Sequence, residues 1–305
     1  MKKCIFAYNP QSGKGKIAKK EKFIIDTLSQ KYDVELVLSK YAGHIYDTII
    51  EKGESVDLFV VAGGDGTLNE AVNALSRLRK KPLLGYIPAG TVNDVAHSVG
   101  IPRNIKKAVK NILEGVPFAH DTIKVNDRYG IYVCCAGLFT ETSYATTQTS
   151  KKKIGKLAYV FHGIKKVFST PAFEVKLRAE DKEIEKKCSF FLMLNSRYVG
   201  GFPVNKRARL NDGLIDVVLI SNKRDTISGM GIWGVLKIFL LGIKNKSKRN
   251  YTYLVLDKFD LDVASDTVIN LDGEKACEGS FHCEMIKEGI EIIIPKKMKD
   301  KLEKK

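Results

Sequence analysis

No run of 18 apolar residues occurs anywhere in the 305-residue sequence, so no segment reads as a membrane-spanning helix. The opening MKKCIFAYNP has only a four-residue apolar stretch before Asn9-Pro10, too short for a secretory signal, and the chain is expected in the cytoplasm. Paired metal-ligand spacing is missing among the six cysteines, Cys4, Cys134, Cys135, Cys188, Cys277 and Cys283, which are expected as thiols packed like small apolar residues. A zinc reading of His282 between Cys277 and Cys283 lacks a fourth ligand. Acidic residues are few: 35 against 51 basic ones give a formal charge of +16 and a pI near 9.4. That excess favours anionic partners and leaves nucleic acid, anionic lipid and phosphorylated ligands open. With no recognition helix and no Arg-interleaved aromatic sheet, nucleic acid is not expected. Lipid headgroups attract the same charge at roughly 1 kcal/mol per well-placed Lys or Arg.

What is present is enough apolar residue, 44%, to bury a core, over a length that suggests two domains. The first third alternates strand-like and helix-like segments: CIFAYN, the periodic stretch 17–28, VELVLS, a short helix at 45–50, VDLFVVAGG, TLNEAVNALSRL and LLGYIPAG. Alternation with apolar runs implies a doubly wound, mostly parallel α/β sheet, with ligands at the strands' carboxyl ends. From about Phe118 the texture changes to hairpin-like pairs, IKVNDRYGIYVCC and FEVKLRAEDKEIEKKCSFFLMLN, which predict an antiparallel β-sandwich-like domain. Two helices are expected within it, one with Leu157, Val160, Phe161, Ile164, Val167 and Phe168 on one face and one over 225–243. Strands are expected near 251–263, 266–272, 281–286 and 290–294. The domains are then 1–120, α/β and nucleotide-binding, and 121–294, β-rich, with the active site in the cleft between. A basic tail, 295–305, is either a frayed end or a return to the first domain.

Three loops carry the chemistry. Gly63-Gly64-Asp65-Gly66-Thr67 lies between an apolar strand and a helix; glycines admit phosphate oxygens to the backbone, the helix start offers free N–H groups, and Asp65 can orient Mg²⁺ or its waters. A tight turn capped by Thr67 is the plain alternative. Asn9-Pro10-Gln11-Ser12-Gly13-Lys14-Gly15-Lys16 also joins strand to helix, but its spacing is not that of a P-loop, and taken alone it is equally an ordinary Gly-rich turn. Gly90-Thr91-Val92-Asn93-Asp94 repeats the arrangement, bringing three loops to one sheet edge.

In this order and spacing, NPQSGKGK, GGDGTLNE and GTVNDVAHSVGIP resemble the nucleotide-binding half of the bacterial diacylglycerol-kinase-like lipid kinases. NSRYVGG, LNDGLIDVV and LDGE extend the resemblance to the second half, from Asn9 to Glu274. NAD kinases share GGDGT and the general fold, but GTVND and LDGE favour the lipid branch. The resemblance implies an ATP:lipid phosphotransferase acting on diacylglycerol or a related lipid, peripheral at the inner face of the membrane, with ATP and Mg²⁺. It puts ATP against Asn9, Pro10, Gln11, Ser12, Gly13, Ser39, Gly64, Asp65, Gly66, Thr67, Leu68, Asn69, Glu70 and Thr91, with Ser39 standing where the family usually has Thr. Glu274 matches the catalytic base, and a surface hairpin carboxylate is its plain alternative. Asp65 and Asp94 are read together at the metal-bound phosphates, the alternative for Asp94 being an acid that favours a helix start. Arg209-Leu210-Asn211-Asp212-Gly213-Leu214 resembles the family's Mg²⁺ site, with the Asp212 carboxylate and the carbonyls of Arg209 and Leu214 as ligands.

Two departures touch the nearby loop, Gly200-Gly201-Phe202 for a three-glycine run and Lys206 for a common proline. Partners expected are the lipid substrate and an anionic membrane surface. For the latter, 230–243, with Trp233 and Phe239 inserted and Lys244, Lys246, Lys248 and Arg249 at headgroups, competes with simple packing on the β-domain. Lys151-Lys152-Lys153 is open in the same way. A homodimer through an exposed edge strand of the β-domain is open. A soluble small-molecule kinase such as an NAD kinase, and a non-catalytic nucleotide- or lipid-binding protein on the same fold, are the rival readings.

Overall fold

The computed structural model describes residues 1–11, 15–136, 173–180, 182–221, 238–244, 246–247 and 251–303. Ser12, Gly13, the 151–153 lysines, the helix expected over 157–168 and most of the 225–243 helix, Trp233 included, lie outside them. The chain divides into two compact units, Met1–Thr122 with Arg209–Asp212 and Ile286–Lys305, and Ile123–Ala208 with Gly213–Met285.

In the first unit the expected alternation appears as β1 (Lys2–Tyr8), α1 (Glu21–Leu28), β2 (Tyr32–Leu38), α2 (His44–Lys52), β3 (Leu58–Gly63), α3 (Asp65–Leu75), β4 (Leu83–Pro88), α4 (Asp94–Ser98) and α5 (Ile105–Glu114). The strands run parallel in the order β2-β1-β3-β4, and Ile292 near the end of β15 (Phe281–Ile294) pairs with Leu84 of β4. Every residue of β3 is buried, as a central parallel strand covered on both faces requires. Alternate side chains Phe6, Tyr8, Val60 and Ala62 meet Ile24, Leu28, Ala108 and Ile112 of α1 and α5. The intervening Ile5, Ala7, Phe59 and Val61 are equally buried on the other face, where α2 and α3 pack together. Each such large side chain contributes about 1.5–3 kcal/mol on leaving water.

The tail forms α6 (Lys296–Glu303), with Leu302 buried. Lys299 Nζ donates to Pro117 O at 3.0 Å, and Met298 lies where a side chain at Gly100 would meet it. Its one apolar stripe docks on the first unit, so these residues are a packed helix and not a frayed end.

The second unit is antiparallel, and in it the end of β5 (Val116–Val125) pairs with β6 (Arg128–Gly130). β9 (Lys182–Leu194) pairs with β8 (Phe173–Ala179) through its first half, and with both β7 (Val133–Ala136) and β10 (Ile215–Ser221) through its second. β11 (Tyr251–Leu256) extends β10, β12 (Lys258–Asp262) joins β8 to β15, and β13 (Val268–Leu271) joins β7 to β14 (Glu274–Glu278). Strands on opposite sides close over one core that includes Val175, Leu177, Phe191, Met193, Val217, Leu219, Phe259, Leu261, Leu271 and Phe281. This is the β-sandwich-like domain expected from the alternating pattern. The strand expected at 251–263 is broken at Asp257, and those at 281–286 and 290–294 are one strand.

Candidate phosphate-binding site

β3 delivers its carboxyl end directly into α3 because Gly63 has no side chain: a Cβ there would lie 2.3 Å from Thr67 Oγ1. Gly64 precedes the helix without a side-chain cap, so the first-turn N–H groups of α3 are left for an anion, with Asp65, Gly66 and Thr67 around them. Further along, Leu68 and Asn69 are buried within α3, and the Leu68 N–H is donated to Gly64 O at 3.1 Å. Glu70 has a different office. Its Oε1 accepts the N–H groups of Ile45 at 2.8 Å and Tyr46 at 3.1 Å, capping α2, whose own cap position is Gly43. Burial raises the Glu70 carboxyl above its ordinary range, and these N–H groups oppose the shift.

The loop after β4 is latched to the loop after β3 by a residue not singled out from the sequence, Asn93. It is fully buried in the left-handed region, φ 57°, which Asn tolerates better than most residues. Its Oδ1 accepts from Gly90 N at 3.0 Å, its Nδ2 donates to Gly90 O at 2.8 Å, and its backbone N–H donates to Asp65 Oδ2 at 2.8 Å. The buried Tyr86 hydroxyl lies 3.2 Å from both Gly63 O and Asn93 Oδ1. The backbones of the two loops touch: a Cβ on Gly90 would stand 2.6 Å from Gly64 Cα and 2.7 Å from Asn93 Oδ1. Neither obstacle is a flexible chain end. Gly90→Ala is therefore expected to part the loops, lowering kcat/KM for the donor nucleotide about 100-fold with a fall of a few degrees in melting temperature; unaltered kinetics would show that the contact has no role.

Asp65 has two differently used oxygens. Oδ2 takes the Asn93 N–H, and the N–H groups of Asp94 and Val95 at the start of α4 face the same carboxylate. Oδ1 is buried with no hydrogen-bond partner. Desolvation raises the Asp65 carboxyl above its usual range, and the surrounding backbone N–H groups counter it. A buried anionic oxygen without a donor fits a hydrated Mg²⁺ ion, which prefers oxygen ligands. Among the described residues no cluster of three or more His, Cys, Asp or Glu is suited to a metal; an ion here would take further oxygens from phosphate and water. Asp94 is 2% exposed at the first position of α4.

Of the β1 loop, Asn9, Pro10 and Gln11 are described: Asn9 Oδ1 accepts the Gln11 N–H at 2.8 Å, a local turn at the strand's carboxyl end. Ser39 sits beside it, its N–H donating to Tyr8 O at 2.9 Å. Thr91 is exposed on the β4 loop, and its carbonyl accepts from Arg103 at 2.9 Å.

In the second unit, Glu274 is exposed at the start of β14, immediately after a two-residue turn with Asp272 at φ 54° and Gly273 at φ 95°. Positive φ at both positions is the type I′ geometry that matches strand twist. The turn is anchored by Asp272, whose buried carboxylate accepts from Ile131 at 2.6 Å, Tyr132 at 3.0 Å and Val133 at 2.9 Å. Gly130 leaves room for it: a Cβ there would lie 2.6 Å from the Leu271 side chain. Sequence reading passed over Asp272, whose Asp-Gly dipeptide is the available signal.

The 209–214 loop has Arg209 and Leu214 exposed and Asp212 half-buried, with Leu210 O accepting Asp121 N–H at 2.8 Å and Gly213 at φ 76°. Near 240, Phe239 is buried edge-on against Phe202, with ring centroids 6.2 Å apart, and Ile243 N donates to Val204 O at 2.7 Å. Phe239 is thus packed within its own chain; Leu240 and Leu241 are the exposed apolar side chains there among the described residues. Among the described residues no helix is long and apolar enough to cross a membrane.

The model of the diacylglycerol kinase catalytic domain matches residues 3–125. A diacylglycerol kinase of Bacillus subtilis (strain 168) is 29% identical over 311 residues, covering 99% of this chain and 100% of its own. One from Staphylococcus carnosus (strain TM300) is 27% identical over 98% of this chain and 97% of its own. The crystal structure of a candidate diacylglycerol kinase from Bacillus anthracis str. Sterne superposes with a TM-score of 0.84 at 24% identity, over 97% of this chain and 98% of that one.

Proposed function

We propose that this chain, similar to the diacylglycerol kinase catalytic domain over residues 3–125 and to diacylglycerol kinases along nearly its whole length, transfers the γ-phosphoryl group of ATP, with Mg²⁺, to a hydroxyl of diacylglycerol or a related lipid at the cytoplasmic face of an anionic membrane. The observation that carries this reading is the pair of latched loops, where a free helix start and the unpartnered Asp65 Oδ1 face the same turn. The first-turn N–H groups at Gly66 and Thr67 would hold phosphate oxygens, with Asn9 to Gly13, Ser39 and Thr91 completing the nucleotide site. Mg²⁺, held by Asp65 with Asp94 beside it, would neutralise charge on the transferring phosphoryl group. Glu70 serves the site by fixing α2.

Glu274 is the proposed base. Its carboxylate accepts the proton of the lipid hydroxyl as that oxygen bonds to the γ-phosphorus and the bond to the leaving ADP breaks. The Asp212 carboxylate with the Arg209 and Leu214 carbonyls would hold a second, structural Mg²⁺ in an all-oxygen set. Excess positive charge on the chain supports attraction to anionic lipid. Glu274→Gln tests the assignment: turnover on lipid in mixed micelles is expected to fall about 10³-fold while the Kd for ATP stays within about twofold. Wild-type turnover in this variant would remove Glu274 from the mechanism.

A further inference from the structure

The loop after β2 presents an aromatic pair to which the proposed reaction assigns no part. Tyr41 is 55% exposed, so one face of its ring is open to a ligand. It is also held still. Its hydroxyl donates to Asp47 Oδ2 at 2.8 Å, its carbonyl accepts from Ser39 Oγ at 3.1 Å and from His44 N at 3.2 Å, and its ring lies 4.8 Å from that of His44. The His44 ring is itself fixed, Nδ1 accepting the Lys40 N–H at 3.2 Å, and Gly43 at φ 95° closes the turn.

The sheet order limits where the remainder of a nucleotide can lie once its phosphates are at the β3 and β4 loops. Toward β4 the way is shut, since Gly90 touches Gly64 and Asn93 fills the space between. The other direction runs past the carboxyl end of β1 to that of β2, two strand spacings from β3 or about 10 Å. That distance matches the reach from phosphate to base. Ser39, joined by its N–H to Tyr8 O, stands on this route, and Tyr41 follows it by two residues.

We infer that Tyr41, braced by His44 and Asp47, is the platform on which the base of the donor nucleotide stacks. This rests on the ATP reading above. An exposed ring already tied at both ends loses little further freedom when a base covers it. Stacking of this kind tolerates any base, so Tyr41 supplies affinity and orientation, with discrimination left to edge contacts.

Calorimetric titration of the full chain with MgATP, and separately with magnesium triphosphate, tests this without reference to the acceptor. Tyr41→Ala is expected to weaken ATP about tenfold and leave triphosphate within about twofold, because only the base contact is removed. Tyr41→Phe, which keeps the ring, is expected within about threefold of wild type for both. Equal weakening of ATP and triphosphate in Tyr41→Ala, or weakening of neither, overturns the platform. Wild-type protein that binds triphosphate as tightly as ATP overturns it too and leaves the donor reading standing; wild-type protein that binds neither overturns both.

Discussion

Replacing Asp65 by Asn is expected to reduce phosphoryl transfer about 10³-fold or more, with a melting temperature at or above that of the wild type. Both halves follow from its two oxygens. Asn keeps an oxygen to accept the Asn93 N–H, so the latch between the β3 and β4 loops survives. It removes the anionic charge at the buried, unpartnered Oδ1, the atom proposed to face Mg²⁺. Burial holds the Asp65 carboxyl above its ordinary range, so the folded state keeps the proton longer than the unfolded chain does as pH rises. Stability from this group therefore falls through the window between the ordinary and the raised value, and above that window the charge is a cost that Asn removes. Steady-state turnover and a thermal melt on the same preparation check the pair. Low turnover accompanied by a large fall in melting temperature would mark Asp65 as a structural residue only.

The second large effect is on folding. Asp272→Ala is expected to destabilise the protein by about 4 kcal/mol, seen as a lower denaturation midpoint. Three buried N–H groups lose their acceptor, each costing about 1–3 kcal/mol when left bare, and Ala is strained at φ 54° where Asp is tolerated. Asp272→Asn, which keeps an acceptor oxygen and the left-handed tolerance, is expected to lose roughly half as much. Glu274 follows Asp272 by two residues, so Asp272→Ala also loosens the proposed base, and its activity should fall further than the fraction unfolded accounts for. A denaturation curve for Asp272→Ala superimposable on wild type would show that the carboxylate does not hold this turn.

Local features were the legible ones. Parallel strands announced themselves as continuous apolar runs, and the loops after β3 and β4 stand where glycine and Asp require them, because turn chemistry and periodicity are written in adjacent residues. What depended on distant partners was not legible. Glu70 looked like part of a nucleotide loop, yet its carboxylate caps a helix 25 positions earlier. Asn93 lay in plain view within its motif, but the latch it forms exists only once Tyr86, Gly63 and Gly90 are brought around it. The basic tail showed no apolar run, and the burial of Leu302 depends on the chain's return to the first unit. β14 was missed because an edge strand needs little burial: Glu274, Lys275 and Glu278 are all exposed.

The central claim is that a lipid hydroxyl receives the phosphoryl group. Incubation of wild-type protein with γ-labelled ATP, Mg²⁺ and mixed micelles carrying a panel of hydroxylated lipids, followed by organic extraction, measures it directly. The account predicts label in the organic phase as a phosphomonoester of one or a few lipids, none without lipid, and a loss of about 10³-fold with Glu274→Gln. Label that stays in the aqueous phase with every lipid, on a soluble acceptor or as inorganic phosphate, would contradict it.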